Sequence, residues 1–254
     1  MTTGLLTMTD DLLIHIASML TAPTDLVRLQ LTCPRFADKV CGSSEMLSIP
    51  EEAARRWVAA CSEQERGWVL RRGLESWLGL MHEVAVLRLP LAFGRAHANV
   101  TLSENGALAT KSAAGGGYPS AASKVAMRSG RHFAQFTVLG GTYLNFGVIR
   151  PGWDVEGGVD AGYVAGHCLY DTSYGSRYPG DNDWEGQQFA RQGDRIGMLL
   201  DLDQGSMTVW KNDERLGLMQ AEGLRGPLCW GASLALDHSA RIESVAVPAA
   251  TSED

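Results

Sequence analysis

Apolar positions along this chain follow two rhythms. Up to about residue 82 they recur at helical spacing; beyond it they alternate with polar residues and glycines. Thr9 stands where it can cap a helix from Asp10 to about Leu20, with Asp10 and Asp11 in the first turn. Leu12, Leu13, Ile16, Met19 and Leu20 form one stripe at i, i+1, i+4, i+7 and i+8, and Ile14 falls outside it. Pro23 and Thr24 open a second helix, whose Leu26, Val27, Leu29 and Leu31 spread around much of the cylinder. Pro34 forces a break, and a short third helix runs through Phe36 to Val40.

Three short helices cannot enclose this much leucine. The leftover apolar face must meet the rest of this chain, in the simplest case the adjacent helices of residues 44–82, or another protein. Residues 51–82 continue helical. Their mixed charges (Glu51, Glu52, Arg55, Arg56, Glu63, Glu65, Arg66, Arg71 and Arg72) read as a solvated face. Ala54, Trp57, Val58 and Cys61 read as an apolar stripe, and Trp57, Trp68 and Trp77 are expected to bury against the second half of the chain.

Strand-type runs follow at Val84–Leu91, Phe133–Leu139, Tyr143–Val148, His167–Tyr170, Ile196–Leu202, Ser206–Trp210 and Ile242–Val247. Residues Ala113–Ala122, rich in Gly, Ala and Ser, read as a loop. In the clearest unit, Ile196, Met198, Leu200 and Leu202 share one face with Met207 and Val209 of the return strand. Asp201 points away from that face, which suits a structural role at the turn. Asn212-Asp213 is the next turn, both residues tolerating positive φ. Many short strands without intervening helices predict an antiparallel two-sheet sandwich. The fold class is therefore multidomain, α then β.

Composition sharpens the division. Of the 29 glycines only five lie in residues 1–82. A net charge of −7 argues against a nucleic-acid surface, and no apolar stretch is long enough to span a membrane. Asp10 and Asp11 stand where a signal peptide needs basic and then apolar residues, so none is expected. Five widely spaced cysteines with no CxxC pair predict neither a zinc site nor a disulfide framework. They suit a reducing compartment, cytoplasm or nucleus.

Leu12-Leu13-x-x-Ile16-x-x-x-Leu20, followed by Asp25-Leu26-x-x-Leu29-x-Leu31-x-Cys33-x-x-Phe36, resembles an F-box. Met8-Thr9 stands where that family usually opens with Leu-Pro, and Phe36 where it often has Trp. The resemblance implies docking on a Skp1-like adaptor of a cullin–RING ubiquitin ligase. It makes Leu12, Leu13, Ile16, Leu20, Leu26, Leu29, Leu31 and Phe36 the expected adaptor-facing set. Some of these must instead hold the helices together.

Gly193-Asp194-Arg195-Ile196-Gly197-x-x-Leu200-Asp201, continuing through Gly205 and Asn212 to Gly217, resembles the signature of SPRY (B30.2) domains. Ser129-Gly130-Arg131-His132-Phe133 and Tyr143–Val148 are similar to two further strands of that family. This implies a sandwich that binds partner proteins through loops at one end. The organisation implied is an F-box-like domain (5–43), a helical connector (44–82), a SPRY sandwich (83–249) and a frayed tail (250–254). The chain then reads as the substrate receptor of an SCF-type ubiquitin ligase with an unknown target. The alternatives are an interaction scaffold with no ubiquitin role, or an enzyme or sugar binder on the sandwich.

No residue pattern argues for catalysis. The six histidines are scattered, and no GxSxG, HExxH or P-loop occurs. Asp181-x-Asp183-x-Glu185-Gly186 begins like a calcium loop, but Gln192 occupies the twelfth position, where a bidentate glutamate is needed. No metal, cofactor or catalytic residue is expected. For binding, Tyr170, Tyr174, Arg177, Tyr178 and Trp184 cluster among Gly, Ser, Asp and Asn, and Trp153 can join them. Recognition loops use such mixtures of aromatic anchors and adaptable polar groups.

Overall fold

Proline sets the joints of the helical start, as its missing N–H and fixed φ require. The computed structural model describes residues 7–40, 45–71, 73, 75–112, 116–180 and 183–248. Cys41, Arg72, residues 113–115, Asp181 and the tail Thr251–Asp254 lie outside the described residues. The chain divides into two units, Met1–Leu89 and Pro90–Asp254.

In the first unit, α1 (Asp10–Ala17) starts after an extended Thr9, whose side chain makes no capping hydrogen bond. Helix α2 (Pro23–Thr32) ends at Cys33, held extended by the proline after it, and α3 (Pro34–Ala37) begins there. Helix α4 (Ile49–Ala59) is capped by Ser48, and α5 (Glu63–Arg66) carries a complete Ser62/Glu65 capping box. Helix α6 (Trp77–Leu87) is capped by Ser76.

Glu51 of α4 also accepts hydrogen bonds from Trp77 N (2.6 Å) and Leu78 N (3.4 Å), so it caps α6 from a neighbouring helix. Glu52 is buried and held by Arg55 and Arg56, whose guanidinium groups keep its carboxyl below the usual range. The expected solvated face is thus partly structural: Glu51 ties α4 to α6, and Glu52 is bonded within α4.

The core of this unit corrects three further expectations. Leu13, Ile14 and Ala17 of α1 point inward, so Ile14 belongs to the buried face. Leu26, Phe36 and Val40 join them, but most of the core comes from residues 49–84, including Ile49, Ala54, Val58, Leu80 and Met81. The expected connector is the other half of one small helical body, because the first three helices have too little surface to close a core alone. Trp57, Trp68 and Trp77 pack, partly buried, against this same core. Arg88 lies over Trp57 and Arg71 over Trp77.

The expected strand at Val84–Leu91 is instead the last turn of α6 and the few residues beyond it. Leu80, Met81 and Val84 share the buried side of α6 at i, i+1 and i+4 spacing, and the Ser76 cap fixes the helix start.

The second unit is two antiparallel sheets. One has the order β1-β4-β12-β6-β7-β8: β1 (Phe93–Ala96), β4 (Ser120–Ser123), β12 (Cys229–Leu234), β6 (Leu144–Ile149), β7 (Cys168–Asp171) and β8 (Arg177–Tyr178). The other has the order β11-β10-β9-β5-β13-β3-β2. Its strands are β11 (Glu214–Gln220), β10 (Ser206–Lys211), β9 (Arg195–Asp201), β5 (Arg131–Gly140), β13 (Ser239–Glu243), β3 (Leu108–Lys111) and β2 (Val100–Ser103). The sheets meet where Phe136 of β5 stacks on Phe146 of β6 at 4.8 Å, with Trp230 of β12 edge-on to Phe136.

The β9–β10 hairpin has the predicted phase. Ile196, Met198, Leu200, Met207 and Val209 are all fully buried, and Val209 pairs with Met198. Asp201 accepts from the backbone N–H of Asp203 and of Gln204, the structural role expected for it. Asn212 and Asp213 both have positive φ. Val209→Ala should cost about 1–3 kcal/mol in a denaturant titration; an unchanged midpoint would mean that its side chain is not in the core. Contrary to expectation, Ser120–Ser123 is a strand, buried along its whole length. Its Ser-Ala-Ala-Ser sequence carries no alternation because small residues fill both faces.

His132 lies on the inner face of β5 beside Ala134 and Phe136. Its Nε2 donates to Ser129 O at 2.7 Å, and burial pushes its pKa down to about 4. Burial also lowers His167. A histidine depressed in the folded state gives stability that is present above its usual pKa of 6.5 and lost as pH falls toward the folded value. Unfolding free energy should therefore fall between pH 6.5 and 4.5, with a slope of up to about 1.4 kcal/mol per pH unit per histidine. His132→Gln keeps a donor for Ser129 and should flatten the slope; an unaltered slope assigns the effect elsewhere.

Candidate functional site

The helical unit closes its core and still leaves apolar side chains outside. On α1 and the turn after it, Leu12, Ile16 and Met19 follow at i, i+4 and i+7; on α2, Val27 and Leu31 follow at i and i+4. All five are exposed, from 37% for Ile16 to 81% for Leu31. The structure thus partitions the expected adaptor-facing set. Leu13, Leu26 and Phe36 are buried within the unit, while Leu20 and Leu29 are partly buried against its core. Leu12, Ile16 and Leu31 face solvent. Arg35 bonds to Asp10 and to Met8 O, which ties α3 to the start of α1.

In the β unit the outer face of the six-stranded sheet carries a shaped surface. Register places Ala122, Gly231, Gly147, Leu169 and Tyr178 in one row across it. The segment between β6 and β7 folds over this row, with Trp153, Val155 and Ala161 packing on Ala122, Ile149, Leu169 and Cys229. His167 anchors that cover, bonding to Ala161 O and meeting the Trp153 ring edge-on at 5.3 Å. Gly147 lets the strands approach closely; a Cβ there would sit 2.0 Å from Cys168 O.

The adjoining row is polar: Ser120, Ser233, Asn145 and Asp171. The two serine hydroxyls bond each other at 2.7 Å. Above this row opens a hollow of about 70 Å³, walled by Tyr118, Asn145, Asp160, Gly162, Tyr163, Asp171 and Tyr178. Tyr118 and Asp160 also wall a second hollow, of about 150 Å³, beside Trp153, Val155 and His97. Asp171 Oδ1 accepts from Ser173 N at 2.8 Å, and Asp160 Oδ1 accepts from Tyr118 N at 3.3 Å. Burial, then the charges of Asp171 and Asp160, raise the Tyr118 phenol above its ordinary pKa. It remains a protonated O–H at neutral pH.

A third hollow, of about 320 Å³, lies near the start of β6 and the end of β7. It is lined by Tyr143, Ser173, Tyr174, Phe189 and Arg191 among others. The Arg191 guanidinium lies over the Phe189 ring at 4.7 Å.

The expected recognition residues separate. Trp153, Tyr178 and Tyr174 line these hollows. Tyr170 does not: it is fully buried on the inner face, with its hydroxyl donating to Gln188 O. The Trp184 indole N–H donates to Gly175 O at 2.6 Å, and its ring meets Tyr170 edge-on. Arg177 donates to Gln220 Oε1 at 2.7 Å, joining β8 to β11 across the two sheets. Tyr170, Arg177 and Trp184 therefore stiffen the segment after β7, because a Gly-rich stretch with large rings packs those rings beneath itself. Tyr118, Asn145, Asp160, Tyr163 and Asp171 were missed. Only the alternation in β6 and β7, which puts Asn145 and Asp171 opposite Phe146 and Tyr170, signalled any of them.

Among the described residues no three His, Cys, Asp or Glu side chains converge as a metal site. Asp181, which opens the calcium-loop-like run, lies outside them. Burial pushes the Cys168 thiol up to about 12 and the Cys229 thiol to about 11, so neither is a thiolate near neutral pH.

No family model matches the sequence, and no curated protein matches it. Among solved structures, the chain is similar to the SPRY domain of human HERC1, with 19% identity and a TM-score of 0.50. The match covers 58% of this chain and 95% of that one. The β unit has the SPRY fold. A human SPRY domain (14% identity, TM-score 0.45, 60% of this chain and 98% of that one) and the TRIM65 PSpry domain (13%, 0.47, 62% and 92%) also match. Within this SPRY unit, the signature stretch Gly193–Gly217 runs through β9, β10 and the first part of β11. The two shorter motifs form the start of β5 and most of β6. They build the scaffold, whereas the two hollows that share Tyr118 are walled by Asn145, Asp171 and the segment between β6 and β7 among others.

Proposed function

We propose that this chain is a substrate-recognition subunit of an SCF-type ubiquitin ligase. Its F-box-like helices dock a Skp1-like adaptor, and its SPRY unit binds a target protein. One observation carries the reading: a small helical unit with a closed core still leaves Leu12, Ile16, Met19, Val27 and Leu31 in solvent. Exposed apolar rows of this kind favour a protein partner. Three of the five residues hold F-box motif positions. The mechanism is proximity: the adaptor brings the cullin–RING core, the SPRY hollows hold the target, and ubiquitin transfer takes place on other subunits. No residue of this chain is given a catalytic role, and the reading fits a cytoplasmic or nuclear protein.

The test is co-expression of the full chain with a Skp1-family adaptor, then size-exclusion chromatography. A one-to-one complex is the expected result. A folded, monomeric chain that elutes apart from the adaptor would sink the ligase reading. It would favour a SPRY interaction module without ubiquitin chemistry, for which the shared core of residues 13–84 speaks.

A further inference from the structure

The hollow over the polar row of the SPRY unit combines two features that suit one kind of guest. Three tyrosines, Tyr118, Tyr163 and Tyr178, line it. Tyr163 and Tyr178 stand nearly perpendicular, with centroids 6.3 Å apart. Two carboxylates, Asp160 and Asp171, bring negative charge, and Asn145 adds an amide. Among the described residues lining this hollow and its neighbour, none is Lys or Arg.

Aromatic faces attract cations through their quadrupole, and more strongly where water is displaced. Carboxylates in a partly buried site attract the same guest and repel an acidic one. Asp171 is the more telling of the two. It is 7% exposed, and its Oδ1 is held by Ser173 N–H, so its direction is fixed before any guest arrives. Tyr163, 72% exposed, stands at the rim where a side chain entering from solvent would lie against it.

We infer that this hollow takes a basic side chain, arginine foremost, presented by an extended segment of the target protein. Arginine suits it better than lysine. Its planar guanidinium stacks on a tyrosine face while its N–H groups reach carboxylates on either side. The net charge of −7 favours approach of a cationic segment as well. The inference rests on the reading of the SPRY unit as the target-binding half. It is independent of which adaptor the helices meet.

The test begins with an unbiased display library of twelve-residue peptides selected on the full chain. The enriched peptides are then synthesised with a fluorophore and titrated. The expected result is an Arg or Lys at a fixed position whose replacement by citrulline or Gln weakens binding at least tenfold. Asp171→Asn and Asp160→Asn keep the shape and the backbone contacts of the site and should each weaken it by a similar factor. Tyr163→Ala, at an exposed position where folding is not at stake, should weaken it severalfold. A thermal melt of each variant checks that the sandwich is intact.

Peptides enriched without a basic residue overturn the inference. So do basic peptides indifferent to both aspartates. Either result leaves the target-binding reading standing. A library that enriches nothing overturns the inference and the target-binding reading together. Loss of the adaptor complex, read separately by chromatography, overturns the ligase reading without touching the hollow.

Discussion

Ile16→Asp and Leu31→Asp, introduced together, should abolish co-elution with a Skp1-family adaptor while leaving both units folded. Both side chains are exposed in the free chain, and Leu31 is the most exposed large apolar residue on α2. Surface substitutions of this kind usually change stability by no more than about 0.5 kcal/mol. In a complex the same positions would be desolvated. Each aspartate then loses apolar burial and adds an uncompensated charge, which costs roughly 2–3 kcal/mol or more. Two such losses weaken a complex by on the order of a thousandfold or more. Calorimetric titration of adaptor into wild type and double variant reads the difference. Binding at wild-type strength would remove these rows from the interface.

Leu13→Asp should lose the adaptor as well, for a different reason. Leu13 is 1% exposed and packs within the core of the helical unit, so a carboxylate there has no water and no partner. The expected cost is about 3–5 kcal/mol, enough to unfold a small unit. Limited proteolysis should then cut freely within residues 7–88 while 90–248 stay protected. If residues 7–88 remained protected, Leu13 would be a surface contact after all. The pair of experiments separates residues that form the unit from residues that use it, a division the leucine pattern alone could not make.

Several features were legible because they are local. Pro23 and Pro34 announce two helix starts, and the β9–β10–β11 region announces its turns through Gly205 and Asn212-Asp213. Others depend on the rest of the fold. Val84-Ala85-Val86-Leu87 looks like strand, yet it ends α6 because Val84 and Met81 fill a helical core. Strand β12, buried along its whole length, lacks the alternation that marks a half-exposed strand. The hollow is the extreme case. Sheet register sets Asn145 of β6 beside Asp171 of β7, and the segments before β4 and between β6 and β7 add Tyr118 and Asp160. Tyr170 lies in the interior through the same alternation, since its neighbour Asp171 faces out where it faces in.

The borders of the two sheets bear on how any partner can be held. Strands β1 and β2 have four residues each and β8 only two, and β11 pairs with β10 through two register breaks. A guest peptide gains main-chain hydrogen bonds only where a long, regular border is free to accept it as an added strand. These borders offer no such template, and the same shortness guards the molecule against edge-to-edge aggregation. For a partner of the β unit, affinity would then come from side chains entering hollows. A partner would be selected by the chemistry of a few residues, and substitution of a single one of them should be enough to release it.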